Sequence, residues 1–336
     1  MTRFLTASGL AIVASFSAGA AQALTIVPTF DASIVNSPNA AAIENNINNA
    51  LQFYDKNFSS PTTVLIDFQI SASVGGGQSL TSLYQQSTAQ YVSTLAFVAA
   101  ANPQNLVLQS AAAFAGSGNA SIFPTSTLLA TSAEMNAIGL SASGFLDANG
   151  GFTGNFDGIV TVNSGLNFTD TAGPNGVNAT ATFQHEIDEV LGIGGSGSFL
   201  DDQAQFPNTL GVLDLYRYAA PGKPSFTTAT NATSYLSFDG GQTAIAQFNQ
   251  SGQGDASDWS SFTSACNNGT HLVQDYAECS GGPVISLNRN SPEVTALQGI
   301  GFNLALPEPS TWALMLVGFG FIGTTLRRRS LRYHFG

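Results

Sequence analysis

Between Thr182 and Gly192 the chain reads Thr-Phe-Gln-His-Glu-Ile-Asp-Glu-Val-Leu-Gly, so His185, Glu186, Asp188 and Glu189 place four titratable groups in five positions. Charged residues make up only 9% of the sequence, which makes that density conspicuous. Wound as a helix at about 100° per residue, Phe183, Ile187, Val190 and Leu191 fall on one side while His185 and Glu189 project together from the other. Four residues apart is the helical spacing at which two side chains grip one metal ion, and Glu186 stands beside the pair as a general base would. Gly192 is placed to end the helix. The plainer alternative is an exposed acidic helix face that happens to carry a histidine.

The flanking sequence predicts the elements that position this helix. Asn39 to Tyr54 sets Ile43, Ile47, Leu51 and Tyr54 at helical spacing, and the β-branched run Thr62 to Ile70 after Pro61 predicts a buried strand. Gly75-Gly76-Gly77 breaks that strand, Ser87 to Ala101 predicts a second helix, and a shorter helix is expected to end at Gly139. Gly158 to Asn163 alternates as an edge or half-buried strand should. Farther on, Tyr235 to Phe238, the turn Asp239-Gly240-Gly241 and Thr243 to Phe248 predict a hairpin, and Pro292 to Leu297 one or two helical turns. The fold class expected is α+β, with an N-terminal subdomain over 24–195 that includes the motif helix 180–191, and a loop- and strand-rich C-terminal subdomain over 196–306.

Charge narrows the partners. Residues 24–306 hold 20 acidic and 4 basic side chains, a balance of −16, which repels a phosphate backbone and an anionic membrane surface alike, so no nucleic-acid partner is expected. Residues 1–23 predict a secretory signal peptide read by the Sec machinery: Arg3 supplies the positive start, Leu5 to Phe16 the apolar stretch and Ala21-Gln22-Ala23 the cleavage pattern. Cys266 and Cys279 are an even pair in an exported chain, and a disulfide closing their loop would contribute about 3 kcal/mol in the chain-entropy model. A metal-thiolate site would need more ligands than these two.

At the other end Pro307-Glu308-Pro309 precedes the apolar run Thr311 to Leu326, followed by Arg327-Arg328-Arg329. A short apolar helix stopped by three positive charges fits a transmembrane segment with a cytoplasmic C-terminus. The order of these parts over 307–330 closely resembles the PEP-CTERM sorting signal of Gram-negative bacteria. That resemblance implies transient association with the inner membrane, removal of the tail by an exosortase and delivery to the cell surface or extracellular matrix. The alternative is a permanent single-span anchor.

The motif helix resembles the zincin pattern His-Glu-x-x-His with its second His replaced by Glu189. Together with Leu213-Asp214-Leu215-Tyr216-Arg217-Tyr218, Tyr235 to Gly241 and Gly254 to Trp259, it is similar to a family of PEP-CTERM-associated metalloproteases, over most of residues 24–304. The resemblance implies a zincin-like core, zinc held by His185, Glu189 and a third group, and Glu186 as general base in hydrolysis of a peptide or protein substrate. A metzincin would take its third ligand at the position of Gly195, which has no side chain to offer. Asp201, Asp202, Asp214 and His271 are the candidates, with Asp214 the choice carried forward. Asp214 is equally readable as a structural carboxylate and His271 as a surface loop residue. Tyr218 or Arg217 could stabilise an oxyanion, with a packed tyrosine and a satisfied ion pair as the plainer readings, and His334 lies in the removed tail.

Two weaker patterns complete the sequence reading. Gly192 to Gly197 has spaced glycines but follows a helix, which argues against a dinucleotide loop. Asp255 and Asp258 suit calcium in an extracellular setting, without the ordered spacing of an EF-hand. The function expected is an exported, metal-dependent peptidase, with an extended substrate adding to the 158–163 strand. The alternative from a different class is a non-enzymatic matrix or adhesion protein of the exopolysaccharide layer with a degenerate or structural metal site. Glycoside hydrolysis is disfavoured, since Glu186 and Glu189 on one helical turn cannot flank a sugar from opposite sides.

Overall fold

A computed structural model describes residues 23–116, 127–142, 145–168, 179–260, 271–277, 284–305, 317–319 and 322. The cysteine pair, the signal peptide and nearly all of the sorting tail, including Pro307, Glu308, Pro309 and Arg327 to Arg329, lie outside the described residues. So does most of the 311–326 run. Among the described residues no helix is long and apolar enough to cross a membrane.

Residues 22–305 form one compact unit of mixed α and β structure. It opens with β1 (Thr25–Phe30), a helical turn α1 (Ala32–Val35), α2 (Ala40–Asn57) and β2 (Thr63–Ser71). The helix forms where apolar side chains recur at helical spacing, and Ile43, Ile47, Leu51 and Tyr54 are all buried as expected. Then come β3 (Gly77–Thr81), β4 (Leu83–Ser87), α3 (Thr88–Ala101), α4 (Leu106–Gly116), β5 (Thr127–Thr131) and α5 (Ser132–Ala137). The motif follows on β6 (Gly158–Asn163) and α6 (Ala179–Leu191). After it the chain makes only short elements: β7 (Leu210–Gly211), β8 (Arg217–Ala220), β9 (Lys223–Pro224), β10 (Tyr235–Leu236), β11 (Ala246–Gln247) and α7 (Pro292–Gly299).

The sheet that carries the site has the order β1-β2-β6-β3. β1, β2 and β6 run parallel, and β3 pairs antiparallel to β6 with Gly77 opposite Val162 and Ser79 opposite Val160. This corrects one expectation: the 158–163 strand is flanked on both sides, by β2 and β3, and the sheet edge nearest it is β3. Three glycines and a serine in the 75–79 stretch gave β3 no apolar alternation to read.

Helix α6 packs on α2, β3 and β6. Its apolar side enters the core, with Phe183 fully buried and edge-on to Phe68 at 5.9 Å, a contact area that contributes roughly 2–3 kcal/mol. Gly158 lets the helix approach: a β-carbon there would overlap the Val190 side chain. The helix ends at Gly192, whose φ of +116° favours glycine and whose N–H donates to the carbonyls of Asp188 and Glu189. The expected hairpin pairs Tyr235 with Gln247 and Leu236 with Ala246, across a longer connection than a tight turn.

Candidate metal centre

The polar side of α6 is not a solvated face. Glu186 is 4% exposed, Glu189 5% and Asp188 0%, because β3 covers one flank and two C-terminal segments, 255–259 and 271–277, cover the other. Those segments are tied together around Trp259, which bridges to Phe248 and to Asp275. Its backbone N–H donates to Gln274 O at 2.7 Å and its indole N–H to Glu293 at 3.2 Å.

Three side chains converge there. His185 Nε2 lies 3.6 Å from Glu189 Oε1 and 3.8 Å from Asp258 Oδ1, and one ligand atom from each of the three residues lies within 4.8 Å of the others. These separations are long for hydrogen bonds. They are close to the edge of a ligand tetrahedron, since two atoms each about 2.1 Å from an ion at the tetrahedral angle stand about 3.4 Å apart. His185 Nδ1 lies 2.9 Å from the Val273 carbonyl; with the proton on Nδ1 it donates there, leaving Nε2 to face the carboxylates.

The carboxylates are oriented in the same way. Ser79 Oγ donates to Glu189 Oε2 at 2.7 Å, and the Gly195 N–H donates to Glu189 Oε1 at 2.9 Å. A side chain at Gly195 would crowd the site, with its β-carbon 2.7 Å from Glu189 Oε1. The position that offers no side chain is therefore the one whose backbone holds Glu189 in place. Asp258 Oδ1 accepts from Gln274 Nε2 at 3.0 Å, and Gln274 is itself fixed through its N–H to Glu293 Oε1 at 2.9 Å.

Glu186 completes the cleft without joining the triad. Its Oε2 is buried with no hydrogen-bond partner among the described residues. A β-carbon on Gly77 would overlap its Oε1, so β3 can run this close only as glycine. Burial first, then the Glu189 charge, raises the Glu186 carboxyl well above the usual range, with His185 opposing. Burial disfavours a charged His185 ring, yet Asp258, Glu189 and Glu186 outweigh it and raise that ring well above its ordinary value. These residues, with Gly75 to Ser79, Asp255 and Tyr276, line a cleft of about 650 Å³.

The donor set suits a divalent cation: one imidazole and two carboxylates, each with a second partner, beside an orphaned buried carboxylate oxygen.

The structure does not bring the sequence-selected third ligand here. Asp214 is fully buried elsewhere, accepting from Ser198 Oγ at 2.6 Å and Gly211 N at 2.9 Å, with Arg217 Nε 3.9 Å away. Both of its oxygens are committed to the fold. Arg217 donates to Ala256 O at 2.8 Å and lies over the Phe248 ring. Tyr218 is buried edge-on to Phe114, away from the cleft lining. Asp201 accepts from Ala256 N at 2.9 Å, and His271 pairs with Asp275 at 2.6 Å. Asp202, too, is outside the converging group. In the sequence Asp258 is legible only as half of a calcium pair with Asp255 and within the Gly254 to Trp259 stretch, and nothing singles out Ser79. The one available signal was an acidic residue beside a tryptophan.

Comparison with known proteins reaches only the C-terminus. Residues 305–329 match the model of the PEP-CTERM protein-sorting motif, so the chain is exported and sorted to the cell surface with an exosortase as its processing partner. No curated protein and no solved structure matches the chain.

Proposed function

We propose that this protein is a surface-sorted, metal-dependent peptidase with a zincin-like core. The observation that carries the proposal is the convergence of His185, Glu189 and Asp258 in a cleft where Glu186 keeps a buried, unpartnered oxygen. His185, Glu189 and Asp258 hold the cation, zinc in the first instance. When bound, such an ion supplies Lewis acidity to a water molecule and to the scissile carbonyl.

The chain's own groups do the rest. Glu186 accepts a proton from the attacking water and returns it to the leaving amine, a role for which its buried Oε2, without a hydrogen-bond partner among the described residues, is placed. Ser79 and the Gly195 amide hold Glu189, and Gln274 holds Asp258. The edge strand β3 runs past Glu186 and Glu189 and offers its outer side to an extended substrate, in place of the 158–163 strand.

The test is metal content and peptide hydrolysis in the purified exported protein. Near one zinc per chain is expected in the wild type and in Glu186→Gln, with metal lost in His185→Ala. Hydrolysis should fall by about 10²–10⁴ in Glu186→Gln. A wild type that binds no divalent metal would sink the hydrolase and leave the non-enzymatic matrix or adhesion protein as the better reading.

A further inference from the structure

The cleft carries more carboxyl groups than a metal centre would use. It is lined by Glu186, Glu189, Asp255, Asp258 and Asp275 against a single imidazole. Asp275 is matched by His271, while Glu189 and Asp258 together balance a divalent ion. Among the described residues Asp255 has no ion pair, and the only opposite charge it feels is the shared His185 ring. The residue is exposed at the cleft mouth while its carboxyl turns inward, where burial and the Glu189 and Asp201 charges raise it to about 6, and no hydrogen bond from a described residue reaches it.

Its place in the cleft is informative. A β-carbon on Gly195 would stand 2.7 Å from Glu189 Oε1 and 2.8 Å from Asp255 Oδ2, so the free carboxylate flanks the same glycine as a metal ligand. A group that pairs with Asp255 therefore sits beside the reacting bond. Beside it, Glu186 Oε2 is buried with no hydrogen-bond partner among the described residues, a second polar atom that the cleft leaves open to a ligand.

No lysine or arginine among the described residues lines the cleft beside Asp255. Lys56, Arg217, Lys223 and Arg289 are the only basic residues between 24 and 306, and none lines the cleft. Lys56 pairs with Gln52 at 2.9 Å, Arg289 with the Ala305 carbonyl at 3.0 Å, and Arg217 is buried over Phe248. A balance of −16 over the same residues repels acidic chains before they arrive.

Resting on the peptidase reading, we infer that the substrates are cationic peptides, with a Lys or Arg side chain next to the scissile bond paired to Asp255. Attraction at Asp255 and repulsion of acidic segments act in the same direction, which is how discrimination is built from charge.

The experiment maps cut sites by mass spectrometry after the metal-loaded protein acts on a proteome-derived peptide library, wild type beside Asp255→Asn, with metal content measured on both. Lys and Arg are expected to be enriched about fivefold within two residues of the cut, falling to near parity in the variant, with metal content unchanged. The kcat/KM ratio for a matched Lys and Gln peptide pair should shrink at high salt. Cleavage without basic enrichment, or enrichment that survives Asp255→Asn, overturns the substrate class while leaving the peptidase standing. Loss of metal in Asp255→Asn makes Asp255 a ligand and overturns its assigned role. Bound metal with no cleavage of any peptide overturns the peptidase and this inference together.

Discussion

Asp214 and Asp258 are both buried carboxylates, at 0% and 2% exposure, and they differ in what surrounds them. At Asp214 a serine hydroxyl, a backbone amide and a nearby guanidinium close the group within the fold. At Asp258 one oxygen is steadied by Gln274 and faces His185 across 3.8 Å, at the wall of a cleft. Burial alone therefore says little about chemistry. The informative state is a buried carboxylate whose partners leave room, next to others in the same condition.

Removing each carboxylate is the strongest way to break the comparison. Asp258→Ala should lower metal affinity by more than about 100-fold, the upper end for losing an outer-shell partner, whereas Asp214→Ala should leave metal content unchanged and lower thermal stability. Titration with zinc by calorimetry, together with a melting curve, checks both. Equal metal loss in the two variants would erase the distinction.

Gly77→Ala probes the close approach of β3 to Glu186. The new methyl displaces the carboxylate, and a misplacement on the order of 1 Å costs about 10²-fold in rate, with metal still bound. Steady-state rates beside elemental analysis separate the two readouts.

The pH dependence of stability sharpens the Asp214 side. Burial pushes this carboxyl up to about 6, against an ordinary 3.8, in spite of Arg217 and its hydrogen bonds. The folded chain thus keeps a proton that the unfolded chain releases between those values. The contribution is greatest below about pH 4 and is lost as pH rises through 6, on the order of 2–3 kcal/mol. Asp214→Asn cannot titrate, so its melting temperature should fall less steeply than the wild type's over that window. Parallel curves would show that Asp214 does not titrate there.

The smallest effect is expected at Ser79→Ala. Losing the hydroxyl that orients Glu189 Oε2 should weaken metal binding about tenfold without abolishing it. No change would mean that the Gly195 amide suffices to hold the carboxylate.

The sequence by itself determined the address of this protein, the helices and strands that obey strong periodicity, and the local half of the site. Ile43, Ile47, Leu51 and Tyr54 were legible because helical spacing is a property of neighbouring residues, and so was His185 with Glu189 one turn later. The sorting motif was legible because its parts are contiguous. The tertiary structure alone decided that β3, not β6, forms an edge of the sheet, that Asp258 and not Asp214 meets the pair, and that Ser79 and Gly195 orient Glu189 while Gln274 orients Asp258. These are contacts between segments far apart in the chain, and side-chain types carry no record of such distances. Asp214 and Asp258 are the same residue to the sequence; only packing gives one a closed set of partners and the other an open wall.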